Sequence, residues 1–196
     1  NKNNEYCIVT DKNGNEKRKF NIPLAFRNDS VNTLYRVNYD ETISFIENSY
    51  IYGSTLKLIF LNKNGEINRT LNIDIEKINE EKDFSVGDFL LTKNNDFLLF
   101  YSKNDMDNGI LVVDEQGNIK KNIEKIDDKR MVSIFYNDDK CYVIYKEDNI
   151  YKLGILDIEN QKIDEVDVLG NYNGEFVEKS DGKYLFTFFN VNNTGI

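Results

Sequence analysis

Short runs of strand-favouring residues, cut at close intervals by Asn/Asp/Gly clusters, constrain this chain more than any other feature. In 89–126, FLLTKNNDFLLFYSKNDMDNGILVVDEQGNIKKNIEKI, the runs FLLT, FLLFYS, ILVVD and IKKNI are separated by clusters at 93–96, 104–109 and 115–118. Val, Ile, Leu, Phe and Tyr in runs of this length, punctuated in this way, are strands joined by tight turns. Four of them in succession make an antiparallel sheet.

The clusters form two interleaved series. One is Asp11-Lys-Asn-Gly14, Asn62-Lys-Asn-Gly65, Asp114-Glu-Gln-Gly117 and Asp157-Ile-Glu-Asn160; the other is centred on Asp40, Asn95, Asp138 and Asp181, and both recur every 43 to 55 residues. Asn-Gly and its relatives supply the positive backbone angles that hairpin turns need. The strand after each turn of the first series is polar, as Lys and Asn in 119–123 show. That suits a sheet edge facing water.

A repeat of 40 to 55 residues built from four strands is a propeller blade. The expected fold is all-β, a β-propeller of four-stranded antiparallel blades over 32–73, 88–124 and 131–168, with an outer pair at 5–21 and an inner pair at 174–190. The two half-units are complementary, so four blades closed by the terminal pairs in a single domain is the expectation, and a piece of a larger propeller is the alternative. Helical spacing competes with this reading only at 73–81, where edge strand plus loop is preferred. Pro23 ends the strand before it.

The segment Glu178-Lys-Ser-Asp-Gly-Lys-Tyr-Leu-Phe-Thr-Phe188 resembles the inner hairpin of TolB-type propeller repeats. Asn108-Gly-Ile-Leu-Val-Val-Asp-Glu-Gln-Gly117 resembles the outer hairpin of NHL-type propellers. The chain has no Trp, so the Trp-based motifs of other propeller families are absent, as is the Gly-Gly pair of kelch repeats. The resemblance implies a scaffold and carries no catalytic residue with it.

Composition narrows the chemistry. The chain has no histidine, which removes Ser-His-Asp and Cys-His nucleophile activation and the His-containing metal sites. Two isolated cysteines, Cys7 and Cys141, form neither a thiolate zinc site nor a disulfide framework, and buried free thiols are expected. No Gly-rich phosphate loop is present, and no cofactor or metal is expected. The loops 104–109 and 190–195 offer oxygen ligands without the full calcium-binding ladder, so Asx turns explain them. The sequons at Asn28, Asn68 and Asn192 are expected by chance in an Asn-rich chain. A net charge of -9 disfavours nucleic acid, and no apolar run has the roughly 20 residues needed to span a bilayer as a helix.

The expected function is a non-catalytic binding scaffold that presents a face of loops to a protein or glycan partner, in a setting such as the extracellular surface of a bacterium. In a propeller the inter-blade connections and the turns between second and third strands share one face. That face would gather Arg27, Asp29, Tyr50, Tyr52, Asp105, Asp107, Arg130 and Tyr172, of which Tyr and Arg are the types that dominate interface energetics. Each has a plainer reading, the tyrosines as caps on the core and the arginines as solvated or locally paired. The rival from another class is a carboxylate-based glycan-cleaving enzyme. It needs acids converging from the inner strands, where Asp88 is the exception among few. A structural spacer within a larger surface protein is the third reading.

Overall fold

Apolar runs too short for helices, closed off by Asx and Gly, leave the backbone one economical way to pair its N–H and C=O groups, which is the antiparallel ladder. The computed structural model describes residues 6–11, 13–21, 34–38, 42–46, 50–51, 53–78, 84–103, 107–126, 129–137, 140–148, 150–170, 172–178 and 184–190, and every regular element among them is a strand. The chain divides into two compact units, 1–82 and 83–196.

The first unit opens with a hairpin of β1 (Tyr6–Thr10) and β2 (Glu16–Asn21). It continues as a four-stranded sheet of β3 (Leu34–Val37), β4 (Ile43–Ile46), β6 (Thr55–Leu61) and β7 (Ile67–Asp74), ordered β3-β4-β6-β7, with a two-residue strand β5 (Tyr50–Ile51) after β4. Alternation sends Cys7 and Phe20 of the hairpin onto Ile43, Phe45, Ile59 and Leu61 of the sheet. Past β7 the chain makes a single turn, with the Ile78 N–H donating to the Ile75 carbonyl at 2.9 Å, so strand plus turn occupies most of the stretch where helical spacing competed.

The second unit holds two full sheets. The strands β8 (Phe84–Leu91), β9 (Phe97–Lys103), β10 (Asp107–Val113) and β11 (Ile119–Ile123) pair in sequence, as do β12 (Arg130–Asn137), β13 (Lys140–Glu147), β14 (Ile150–Asp157) and β15 (Lys162–Gly170). A last hairpin of β16 (Tyr172–Glu178) and β17 (Tyr184–Asn190) is a two-stranded sheet with β16 against β12 and β14. The two terminal hairpins, expected to close a fourth blade, are separate two-stranded sheets among the described residues.

Both faces of β13 are core. Val143 and Tyr145 point into a cluster shared with Leu98, Phe100, Ile110 and Val112 of the preceding sheet. Ile144 and Tyr142 join Phe135, Tyr151 and Leu153 on the other side. Sheets buried on both faces in this manner are stacked like blades. Cys7 and Cys141 are both free; Cys141 is buried and Cys7 half-buried, and burial raises the Cys7 thiol pKa despite the Arg18 charge nearby.

Three of the turns of the first series share one construction. In the turn 114–118, Asp114 Oδ1 accepts from the Gln116 and Asn118 N–H groups at 3.0 and 2.8 Å, and Oδ2 accepts from Asn118 Nδ2 at 2.9 Å. Asp11 repeats the arrangement with Asn13 and Asn15; Asn62 Oδ1 accepts from the Asn64 and Glu66 N–H groups, while its Nδ2 donates to Glu66 Oε2 at 2.9 Å. Each closes on a glycine at positive φ, 85° at Gly14, 82° at Gly65 and 92° at Gly117. That angle is why glycine stands there. The turn 92–96 of the second series uses other residues for the same task, Thr92 as acceptor for the Asp96 N–H and Asn95 at φ 61° in place of glycine. At 157–161, Asp157 holds Asn160, and Gln161 takes φ 53°.

Candidate functional site at the end of the third sheet

The second and third sheets are fastened where their first strands meet. The first strands β8 and β12 carry β-bulges at matching places, between Val86 and Asp88 and between Met131 and Ser133. Such an insertion re-aims the next side chain. The Asp88 carboxylate accepts from the Ser133 hydroxyl and the Ile134 N–H, both at 3.0 Å on Oδ2, and from the Phe89 N–H at 2.8 Å on Oδ1. Ser133 and Ile134 are buried, so Asp88 supplies a charged acceptor to two donors that water reaches poorly. A second tie lies on the outermost strand, where Lys121 of β11 donates to the Ile158 carbonyl in the third sheet's outer turn at 2.7 Å. Asp88, the acid on which the glycan-cleaving reading rests, thus holds two sheets in register.

At the opposite end of the third sheet from its outer turn, strand register brings four charged groups around one tyrosine. Tyr145 of β13 stands opposite Lys152 of β14. Lys152 Nζ lies 2.6 Å from Glu147 Oε2 and 2.8 Å from Glu165 Oε2, and Lys129, from the connection entering β12, lies 3.9 Å from Glu147 Oε1. The Tyr145 hydroxyl donates to Glu165 Oε2 at 3.4 Å. The hydrogen bonds that Lys152 donates to Glu147 and then Glu165 raise its pKa, and the bond from Lys152 holds Glu165 below the usual carboxylate range. Burial, reinforced by the Glu165 charge, pushes Tyr145 up to about 12. The group is charge-balanced, two ammonium groups against two carboxylates. A general acid for glycoside cleavage needs a raised carboxyl pKa; Glu165 is shifted the other way.

Four of the residues of the expected partner face lie among the described residues, and four outside them. Arg130, first residue of β12, is exposed one residue from Lys129 and pairs in register with Lys146. Tyr50, Asp107 and Tyr172 each begin a strand, β5, β10 and β16. Arg27, Asp29, Tyr52 and Asp105 lie outside the described residues, as do the sequons at Asn28 and Asn192 and most of the two oxygen-rich loops. Asn68 and Thr70 of the remaining sequon are exposed on β7.

Sequence reasoning missed Lys129, Tyr145, Glu147, Lys152 and Glu165. One signal was available. The two longest apolar runs, 97–101 and 141–145, each end in tyrosine. In both sheets that tyrosine reaches a polar side chain on the fourth strand, Tyr101 to Asn122 Oδ1 at 2.8 Å and Tyr145 to Glu165. Gly109 permits the first reach, since a Cβ there would run into the Tyr101 ring.

No family model matches this sequence, and no curated protein matches it. Solved structures do. Hydrazine synthase of Kuenenia stuttgartiensis is similar at 13% identity and a TM-score of 0.55, over 92% of this chain and 48% of that one. The Dos1 propeller is similar at 13% identity and 0.53, over 90% and 45%. A protein of unknown function from Bacteroides caccae aligns over 95% and 65% at 11% identity and 0.46. The chain spans less than two thirds of each of these structures. At such identities the likeness concerns the fold, and with the stacked four-stranded antiparallel sheets it shows a propeller-like architecture.

Proposed function

We propose that this chain is a non-catalytic scaffold of propeller blades and that it takes a protein or glycan partner on the end of the sheets where Lys129, Arg130, Glu147, Lys152 and Glu165 gather. The observation that carries this reading is the contrast between the two ends of the third sheet. At the outer-turn end, Asp157 turns inward on Asn160. At the other end, salt-bridged side chains stand around Tyr145, and the exposed Arg130 follows Lys129 in sequence and pairs in register with Lys146. A fixed polar cluster flanked by an arginine suits recognition, because its geometry is set before the partner arrives. Engagement of Asp88 between two sheets favours the scaffold over the glycan-cleaving alternative.

The test pairs a glycan array and an affinity capture with a panel of chromogenic glycosides. Partner retention that falls at least tenfold in Arg130→Glu, with an unchanged melting curve, is the expected result. Turnover of a glycoside that disappears in Asp88→Asn, while the fold persists, would replace the scaffold with an enzyme.

A further inference from the structure

We infer that the partner proposed above is an acidic glycan and that Arg130 and Lys146 bind one of its carboxylates, an inference that rests on the scaffold reading and deepens it. Arg130 of β12 stands directly opposite Lys146 of β13, and Lys146 opposite Tyr151 of β14. Residues paired in such a row share one face of the sheet, with Cβ atoms about 5 Å apart. Met131 and Tyr145, one position along, project to the other face, into the core. Lys146 Nζ lies 5.5 Å from the centre of the Tyr151 ring, on the shared side.

Two cations directly opposite each other on a ladder repel, and a carboxylate beside them would relieve the repulsion. None serves here. Neither Arg130 nor Lys146 makes an ion pair among the described residues. Glu147, next in the chain, projects with Tyr145 to the opposite face, where Lys129 and Lys152 hold it. Strand β16 lies against β12 and β14, and Arg130 is exposed all the same.

The row therefore offers a guanidinium and an ammonium to an anion from outside. In a chain of net charge -9, a ligand densely charged along its length is repelled by the molecule as a whole, which favours one with isolated carboxylates. A protein partner needs an apolar anchor at the centre of its contact. This row supplies none, since Tyr151 is only 9% exposed and has Lys146 over its ring. A uronic acid needs only what is present: its planar carboxylate matches the Arg130 fork, and the Lys146 ammonium donates to the same oxygens.

An array of short oligosaccharides that each carry one uronic acid, printed beside their methyl esters and an acidic peptide, tests this with the full chain. Uronate binding that falls at least tenfold on esterification, and weakens as salt rises, is expected. Arg130→Gln and Lys146→Gln should each lower it about tenfold with unchanged melting curves. Arg130→Lys should retain only part of it, because a point charge lacks the fork. Esters bound as well as acids, no uronate bound, uronate binding that ignores both substitutions, or preference for the acidic peptide would each overturn the inference. Retention of a neutral glycan or a protein in place of a uronate, still lost in Arg130→Glu, would overturn it and leave the scaffold reading standing.

Discussion

Two aspartates in this molecule do the same chemistry in different surroundings. Asp114 and Asp88 both accept from backbone N–H groups, Asp114 also from the Asn118 side chain and Asp88 also from a serine hydroxyl. Asp114 reaches no further than Asn118 and sits in water. Asp88 reaches Ile134, in a different sheet and partly buried. Water competes freely for the bonds of the first, whereas those of the second are part-buried between two sheets, where losing the acceptor costs more. The turn aspartate shapes a hairpin; the junction aspartate sets how two sheets meet.

The largest effect should come from Asp88→Ala. Two buried donors lose a charged acceptor, which corresponds to about 3 kcal/mol in urea denaturation. Asp88→Asn, which keeps an acceptor, should cost roughly half of that. If Asp88→Ala proved no worse than Asp114→Ala, the distinction between the two settings would fail.

Next in size is a glycine pair that separates backbone strain from packing. Gly14 and Gly65 hold nearly the same positive φ, 85° and 82°, but a Cβ at Gly14 meets nothing and one at Gly65 runs into the Phe20 ring. Gly14→Ala should cost about 1 kcal/mol from conformation alone. Gly65→Ala should cost about 2 kcal/mol more, because Phe20 has to leave its place against the sheet. Equal losses in thermal or chemical denaturation would mean that Phe20 moves aside freely.

Smaller changes concern pH. The Asn118 side chain and then the neighbouring backbone N–H groups lower the Asp114 pKa, and Asp11 and Asp157 are lowered in the same way by Asn15 and Asn160. A depressed folded-state pKa means stability that is present above the unfolded value near 3.9 and lost as pH falls through the folded one. Asp114→Asn copies the natural Asn62 turn, and acid titration followed by circular dichroism should show a shallower acid limb. The smallest effect is alkaline. Tyr145, pushed up to about 12, binds its proton more tightly folded than unfolded, so stability should decline from the ordinary tyrosine pKa near 10 up to about 12. Phenolate absorbance should show one late-titrating tyrosine that Tyr145→Phe removes.

The same contrast explains what could be read from the chain in advance. Asp114, Gly117 and Asn118 carry their turn within five residues, so it was legible, and with it the strand order of all three full sheets. The turn 92–96 was legible through its Asn and Asp residues, although Thr92 does the accepting. Asp88 stood out only as an acid on an inner strand, because nothing near it in sequence reveals a serine 45 positions away. Bulges at Gly87 and Val132 re-aim these side chains, and a bulge is invisible to strict alternation. The cluster around Lys152 was hidden for a related reason. It depends on which residue of β13 faces which residue of β14, and alternation along an apolar run assigns Tyr145 only to the core, where its ring is buried.

A double-mutant cycle between Asp88 and Ser133 tests the junction most directly. With Asp88→Ala, Ser133→Ala and the pair compared by urea denaturation, a coupling of about 1 to 2 kcal/mol is predicted, since either change alone already breaks the shared bond. Losses that add to within about 0.3 kcal/mol would show that Asp88 does not bind the third sheet through Ser133 and would contradict the account.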